Sequence, residues 1–195
     1  MLPHCGPPPI PPDWSIRPLA DGDRAALLRL NADNWPAVHT LDEATLGQLL
    51  GFGGHHLVAA DRSGGVLGYL LSFSSESGYD DTEIGELRRR LVEPFFYICQ
   101  VAVARAHRQR RIGRAFYQAM TDIARRQGVG ILCCDVNTNP PNPDSFAFHR
   151  RLGFAEIGSG IASNGMAVAF LAKNLSPAGI DDLGAAPPLT TSSSA

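Results

Sequence analysis

Tyr97-Ile98-Cys99-Gln100-Val101-Ala102-Val103 is an apolar run that ends in a basic turn, Arg105-Ala106-His107-Arg108-Gln109-Arg110-Arg111-Ile112-Gly113. The run has the length and the β-branched and aromatic content of a strand. The turn leads into a helical pattern from Arg114 to Gln127. A second apolar strand follows, Gly130 to Val136, then an Asn/Pro loop, then a short helix that stops at Gly153-Phe154. Strand, cationic turn, helix and strand make a βαβ unit. The first backbone N–H groups of a helix lack intrahelical partners and lie at the positive end of its dipole. Arg108, Arg110, Arg111 and Arg114 crowd around that end. The pattern predicts an anion site, and phosphate suits it best.

Trp14 to Pro18 reads as a first strand. Asp21-Gly22-Asp23 then starts a helix, capped by Asp21 or Asp23, with Ala25, Leu27, Leu28 and Leu30 on its apolar side. Asn34-Trp35-Pro36 breaks it, and a second helix runs near Asp42 to Leu50. His56 to Ala60 and Val66 to Phe73 are strands joined by the turn Asp61-Arg62-Ser63-Gly64-Gly65. Ser74 to Glu93 is polar and irregular, with one helix around Ile84 to Leu91. Ala155 to Ile157 and Met166 to Leu171 read as closing antiparallel strands. The order implies an α/β sandwich around a mixed sheet.

The 195 residues suffice for one well-cored domain. A 44% apolar content suits a soluble globular protein, and a net charge of −2 gives no global field toward nucleic acid or anionic lipid. Clustered arginines on a near-neutral chain fit a small anion better than a polyanion. The arginines at 88–90 and 125–126 read as solvated helix faces. Cys5, Cys99, Cys133 and Cys134 lack zinc-ligand spacing and read as small reduced side chains, so no metal is expected. No run is long enough to span a membrane, and prolines interrupt the N-terminus where a signal peptide needs an apolar region. A cytoplasmic location is expected. Residues 1–12 are Pro-rich and 176–195 are rich in Ser, Thr, Pro, Ala and Gly. Both are expected to be disordered tails on a domain of residues 13–175.

The turn and the helix that follows resemble the GNAT superfamily of acyl-CoA-dependent N-acyltransferases. The family's pyrophosphate turn has the form Gln/Arg-x-x-Gly-x-Gly/Ala, and Arg108-Gln109-Arg110-Arg111-Ile112-Gly113 aligns with it. Asn142-Pro143-Asp144-Ser145, His149 and Gly153-Phe154 are similar to the family's Asn-x-x-Ala/Ser-x-x-x-Tyr/His-x-x-x-Gly-Phe. The element order agrees as well. The family's central glycine falls at Arg111. A register two residues later, ending Gly113-Arg114-Ala115, restores a glycine but shifts the helix start; the first keeps Ile112 facing the sheet.

The resemblance implies a GNAT-like domain with a mostly antiparallel mixed sheet and acetyl-CoA as acyl donor. It implies that the main chain of Val101 and Val103 holds the pantetheine arm, and that the Val101 amide polarises the thioester carbonyl. Arg108, Gln109, Arg110, Arg111, Ile112, Gly113 and Arg114 would cradle the pyrophosphate. Asn137 and Asn142 would contact the pantetheine. His149 would protonate the leaving thiolate, or pack beside Phe146 and Phe148. Glu76, Asp80 and Glu93 are the candidate bases, since Cys99 and Gln100 leave the strand without a carboxylate. Direct attack by a neutral amine is equally open. Trp35, His39, Phe73, Tyr79 and Asp80 could line the acceptor pocket, although Trp35 and Phe73 also suit the core. The implied acceptor is a primary amine of a small or amino-acid-like molecule, and a homodimer stays open. A non-catalytic acyl-CoA-binding or partner-binding module is the alternative. A nucleotide-binding α/β protein is the third reading, weakened by the lack of a Walker lysine motif.

Overall fold

A computed structural model describes residues 12–175. The expected tails, apart from Pro12, lie outside the described residues. One sheet of seven strands has the order β1 (Trp14–Pro18), β2 (Leu57–Asp61), β3 (Val66–Ser74), β4 (Phe95–Val103), β5 (Ile131–Asn139), β7 (Ala167–Asn174), β6 (Ala155–Ile161). Only β4 and β5 pair in parallel; every other neighbour is antiparallel. The expected mixed, mostly antiparallel sheet is what forms. Several strands run longer than their apolar runs. β4 starts at Phe95, β5 continues to Asn139, and β6 and β7 reach Ile161 and Asn174. β4 takes in the buried pair Phe95-Phe96, while ladder hydrogen bonds carry β5 and β7 past the point where side chains are apolar.

Both faces of the sheet are covered. On one, α1 (Arg24–Asp33), α2 (Glu43–Gly51) and α3 (Thr82–Arg90) bury Leu27, Leu30, Leu46, Leu49, Ile84 and Leu87 against Tyr69, Phe73 and Tyr97. On the other, α4 (Ile112–Arg126) lays Ile112, Phe116, Met120 and Ala124 on Leu70, Phe96, Leu132 and Cys134. Those four helical positions recur every four residues, so they form one stripe. α5 (Pro143–Arg151) adds Phe146 and Phe148 at the edge of this second core. Cys133 and Cys134 fall in opposite cores, as alternation along β5 requires.

Several local expectations are corrected. Asp21–Asp23 is a 3₁₀ turn before α1, and neither carboxylate caps the helix. Asp23 instead accepts from Arg17 at 2.6 and 2.9 Å and from the Ala20 amide at 2.9 Å, tying β1 to the turn. Ala25 is exposed; buried Asn31 takes a place on the inner face. α3 starts two residues and ends one residue earlier than expected, capped by Asp81, whose Oδ1 accepts from the Ile84 amide at 2.8 Å. α4 begins at Ile112 rather than Arg114, and Arg105–His107 forms a separate 3₁₀ turn. The Gly153-Phe154 pair is a helix cap. Gly153 has φ +85°, its N–H bonds the Arg150 carbonyl at 3.0 Å, and the Phe154 N–H bonds the His149 carbonyl at 3.1 Å. That left-handed corner is where a residue without Cβ is cheapest. No helix among the described residues is long and apolar enough to cross a membrane.

The half-buried ring of His56 opposes the fold through its buried nitrogens. Neither ring nitrogen of His56 has a hydrogen-bond partner, and the ring stands edge-on to Phe73 at 5.3 Å. Burial, with nearby His55 second, pushes its pKa down to about 4. The folded state therefore favours the neutral ring. The corresponding stability is present above pH 6.5 and is lost as pH falls toward 4. His56→Phe keeps the aromatic contact and removes the orphaned nitrogens, each of which costs about 1–3 kcal/mol. Urea unfolding of this variant should show higher stability at pH 7.5 and a shallower loss on acidification to pH 5. An unchanged acid slope would assign the loss to other groups.

Candidate active site

Strand β4 carries a bulge that shapes the site. Leu71 pairs with Gln100 and Ser72 with Ile98, so Cys99 is the extra residue. Before the bulge, the Phe95 carbonyl bonds toward β3, accepting from the Ser75 amide at 2.9 Å. After it, the Ala104 amide donates to Leu67 of β3 at 2.8 Å. The ladder has changed parity from odd to even residues. Val101 and Val103 thus turn their main-chain groups to the opposite edge, toward β5. There β5 has already parted: the parallel pairing runs only from Phe95–Ile131 to Ile98–Cys134. The divergence opens a cleft of about 200 Å³ between the strands.

Helix α4 closes one end of this cleft. Its N-cap, Arg111, sits in the left-handed region with φ +63°, and Gln109 does the same with φ +62°. The glycine-like conformation is therefore kept with an arginine side chain. The helix start at Ile112 agrees with the first register, which put Arg111 in the glycine's place. The first helical bond is the Ala115 N–H to the Arg111 carbonyl, at 3.0 Å. No backbone N–H from Gln109 to Arg114 has a partner among the described residues. Successive unpaired donors at a helix start are a geometry that can hold an anion.

The four arginines divide into two pairs. Arg108 donates to Asn34 Oδ1 at 2.7 Å, and Arg110 pairs with Asp13 and with His107 Nδ1. These two hold the turn onto α1 and the start of β1. Arg111 and Arg114 are exposed and make no side-chain hydrogen bond or ion pair among the described residues. Gly113 gives α5 room, because a Cβ there would lie 3.3 Å from the Phe148 ring.

Asn142 caps α5, its Oδ1 accepting from the Ser145 amide at 3.2 Å, and its own N–H donates to the Asn137 carbonyl at 3.2 Å. Both asparagines line the cleft. His149 lines it too, but its ring is only 6% exposed and both nitrogens are engaged. Nδ1–H donates to the Ser145 carbonyl at 2.8 Å, so Nε2 accepts from the Tyr117 hydroxyl at 2.6 Å. Burial holds the imidazole pKa below its ordinary value, against the raising effect of the Ser145 carbonyl. The ring packs between Tyr117, Phe148 and Phe154. The hydroxyl beside it in the cleft wall belongs to Tyr117, a residue the sequence reading missed.

The opposite end of the cleft is acidic. Asp135 of β5 accepts from the Tyr97 hydroxyl at 2.6 Å through Oδ1, and its Oδ2 has no partner among the described residues. Burial raises its pKa to about 6, against the lowering effect of the Tyr97 bond and with Glu83 and Asp81 adding to the rise. Asp81 and Glu83 of α3 also line the cleft. The expected bases do not reach it. Asp80 is exposed and paired with Arg88 at 3.0 Å, Glu76 lines a separate depression, and Glu93 is exposed. Of the expected acceptor residues, His39 lines the cleft. Trp35 is 64% exposed, and Phe73 is wholly buried in a stack with Tyr79. Cys99 and Cys134 face the cleft as well, and burial followed by the nearby carboxylates pushes both thiols well up. Among the described residues, no group of three His, Cys, Asp or Glu could hold a metal ion.

The model of the acetyltransferase (GNAT) family matches residues 24–154. No curated protein matches the chain by sequence. Solved structures are similar in fold. Ard1 from Thermoplasma volcanium aligns with TM-score 0.66 at 18% identity, over 83% of this chain and 97% of that one. The ribosomal-protein-S18-alanine N-acetyltransferase from Escherichia coli gives 0.64 at 17%, over 86% and 97%. yncA from Salmonella typhimurium, solved with acetyl-CoA, gives 0.60 at 21%, over 88% and 99%.

A left-handed Arg111 makes a testable demand. Arg111→Gly relieves roughly 1–2 kcal/mol of left-handed strain while adding about 0.5–1 kcal/mol of unfolded-state entropy, so stability should stay within about 1 kcal/mol of the parent. Arg111→Val should lose more, because β-branched residues resist positive φ most. Equal urea midpoints for the glycine and valine variants would mean that the turn does not require this conformation.

Proposed function

Because the chain belongs to the GNAT acetyltransferase family, we propose that it transfers an acetyl group from acetyl-CoA to a primary amine of a small molecule. The observation that carries the reading is the row of unpaired N–H groups from Gln109 to Arg114, at one end of a cleft where the β4 main chain is free. A pyrophosphate fits that row, with Arg111 and Arg114 as side-chain cations. An extended pantetheine arm fits the β4 main chain at Val101 and Val103, where the Val103 carbonyl accepts only a long bond from Arg108 Nε at 3.4 Å, with Val101, Asn137 and Asn142 lining the cleft. When bound, acetyl-CoA supplies a thioester carbonyl for attack.

The chain's own residues then have separable tasks. The Val101 N–H polarises the carbonyl oxygen. Asp135, with its free oxygen toward the cleft, accepts a proton from the amine, while Tyr97 orients it. The N–C bond forms as the C–S bond breaks, and an alkylammonium gives up two protons in all. One leaves through Asp135 to solvent and the other ends on the released thiol. The Tyr117 hydroxyl would have to turn its single O–H from His149 Nε2 to the departing sulfur, and His149, held by the Ser145 carbonyl, is its positioning residue.

The cover over the acceptor end favours a small acceptor. His39 Nε2, from the α1–α2 connection, meets Asn164 Nδ2 of the β6–β7 turn at 2.9 Å. Ser163 of the same turn donates to Glu83 Oε1 at 3.1 Å. These contacts bridge the two segments across the acceptor end, where an extended peptide would need an open groove.

Two measurements test the reading. Titration calorimetry should detect acetyl-CoA binding, and its absence at high micromolar ligand would end the proposal. With an accepted amine, kcat/KM should rise with pH through about 6, because Asp135 acts only when ionised. Asp135→Asn should remove that limb and slow turnover by about 100-fold or more. Binding without turnover on any amine would leave the non-catalytic module as the function.

A further inference from the structure

Glu83 is the least explained side chain in the cleft. It is 1% exposed, and its Oε2 is buried without a hydrogen-bond partner. Its Oε1 accepts from Ser163, so the side chain is held in place with one oxygen open. A buried carboxylate oxygen with no donor is costly, and such an atom in a cleft marks the place of an absent donor. Asp81 cannot play this part. Its Oδ1 accepts from the Ile84 amide and its Oδ2 from the Tyr79 hydroxyl. Asp135 does have one open oxygen.

Glu83 and Asp135 therefore both line one cleft, each with a carboxylate oxygen that has no partner among the described residues. No lysine or arginine is among the residues that line it. The acids are not arranged to share one metal ion. Separate positive charges answer them better. The same acidity disfavours an acceptor whose amine sits next to a carboxylate, as in a free amino acid.

We infer that the acceptor is a small dicationic amine, with one nitrogen reacting beside Asp135 and a second held as an ammonium ion by Glu83. The inference rests on the acetyltransfer reading and deepens it. A flexible alkyl chain between the nitrogens would lie along the cleft wall near Cys99 and Val38, which both line it. The His39–Asn164 bridge borders the same end.

The test compares 1,4-diaminobutane with 1-aminopentane, which has a methyl group in place of the second nitrogen. Thiol release from acetyl-CoA by the full chain should show kcat/KM at least tenfold higher for the diamine. Glycine and a peptide with a free N-terminus should react more slowly than the diamine. Glu83→Gln should raise KM for the diamine about tenfold or more and KM for the monoamine far less. Direct binding supplies a second readout: 1,4-diaminobutane should raise the melting temperature of the parent protein more than 1-aminopentane does. Acetyl-CoA calorimetry runs beside these assays. If acetyl-CoA binds and the monoamine, the peptide or glycine matches the diamine, the dication is overturned while acetyltransfer stands. If acetyl-CoA does not bind, the acetyltransfer reading falls, and the dication falls with it unless the diamine alone stabilises the protein in a Glu83-dependent way.

Discussion

Everything at the site depends on the extra residue in β4. A sheet without the bulge at Cys99 would keep its ladder parity, and the main chain of Val101 and Val103 would be spent on β3. With it, those groups face a gap that β5 has vacated. The bulge also places Cys99 and Gln100 on the same side of the sheet, toward α1 and α3. Gln100 uses that placement. Its Nε2 donates to the His39 carbonyl at 3.1 Å, and Asn31 Nδ2 donates to the same carbonyl at 2.8 Å. The Leu41 amide closes the set on Asn31 Oδ1 at 2.8 Å. The connection that covers the acceptor end is thus fastened to the strand that would hold the donor. Buried polar sets of this kind are costly to leave half-made, so they hold one arrangement.

The cleft is also electrically divided. Just outside its α4 end lie a helix N-terminus and two uncommitted arginines, Arg111 and Arg114, which flank the lining residue Gly113. Its α3 end has Asp81, Glu83 and Asp135. A near-neutral net charge conceals this separation. A donor with anionic phosphates and an acceptor with cationic nitrogen would each be drawn to its own end and repelled from the other. Orientation of both reactants then follows from the field before any close contact forms.

The fold and the turn proposed to hold phosphate were legible because their signals are local. A cationic turn before an amphipathic helix, an Asn-Pro cap and a Gly-Phe stop each act over a few residues. The missing glycine at Arg111 resolves in backbone terms, since arginine takes the same positive φ. The acidic end was not legible. Asp135 sits inside the run Ile131 to Val136, which reads as a buried strand, and that lone acid among apolar neighbours was the available signal. Glu83 looks like any acid in a helix's first turn until the β6–β7 turn folds over it. Tyr117 fits the apolar side of α4, and only α5 packing reveals its hydroxyl partner. The bulge has no local mark, because it arises from how β4 meets β3.

The thiols of Cys99 and Cys134 bear on the order of events. A thiolate in the cleft could take an acyl group itself and pass it on later, letting one product leave before the second substrate arrives. Burial and the neighbouring acids keep both sulfurs protonated, so neither is a nucleophile. On the proposed acetyl transfer, neither cysteine offers the acyl group a place to wait, so donor and acceptor would share the cleft at the same moment and steady-state kinetics would take the sequential form, with intersecting rather than parallel reciprocal plots.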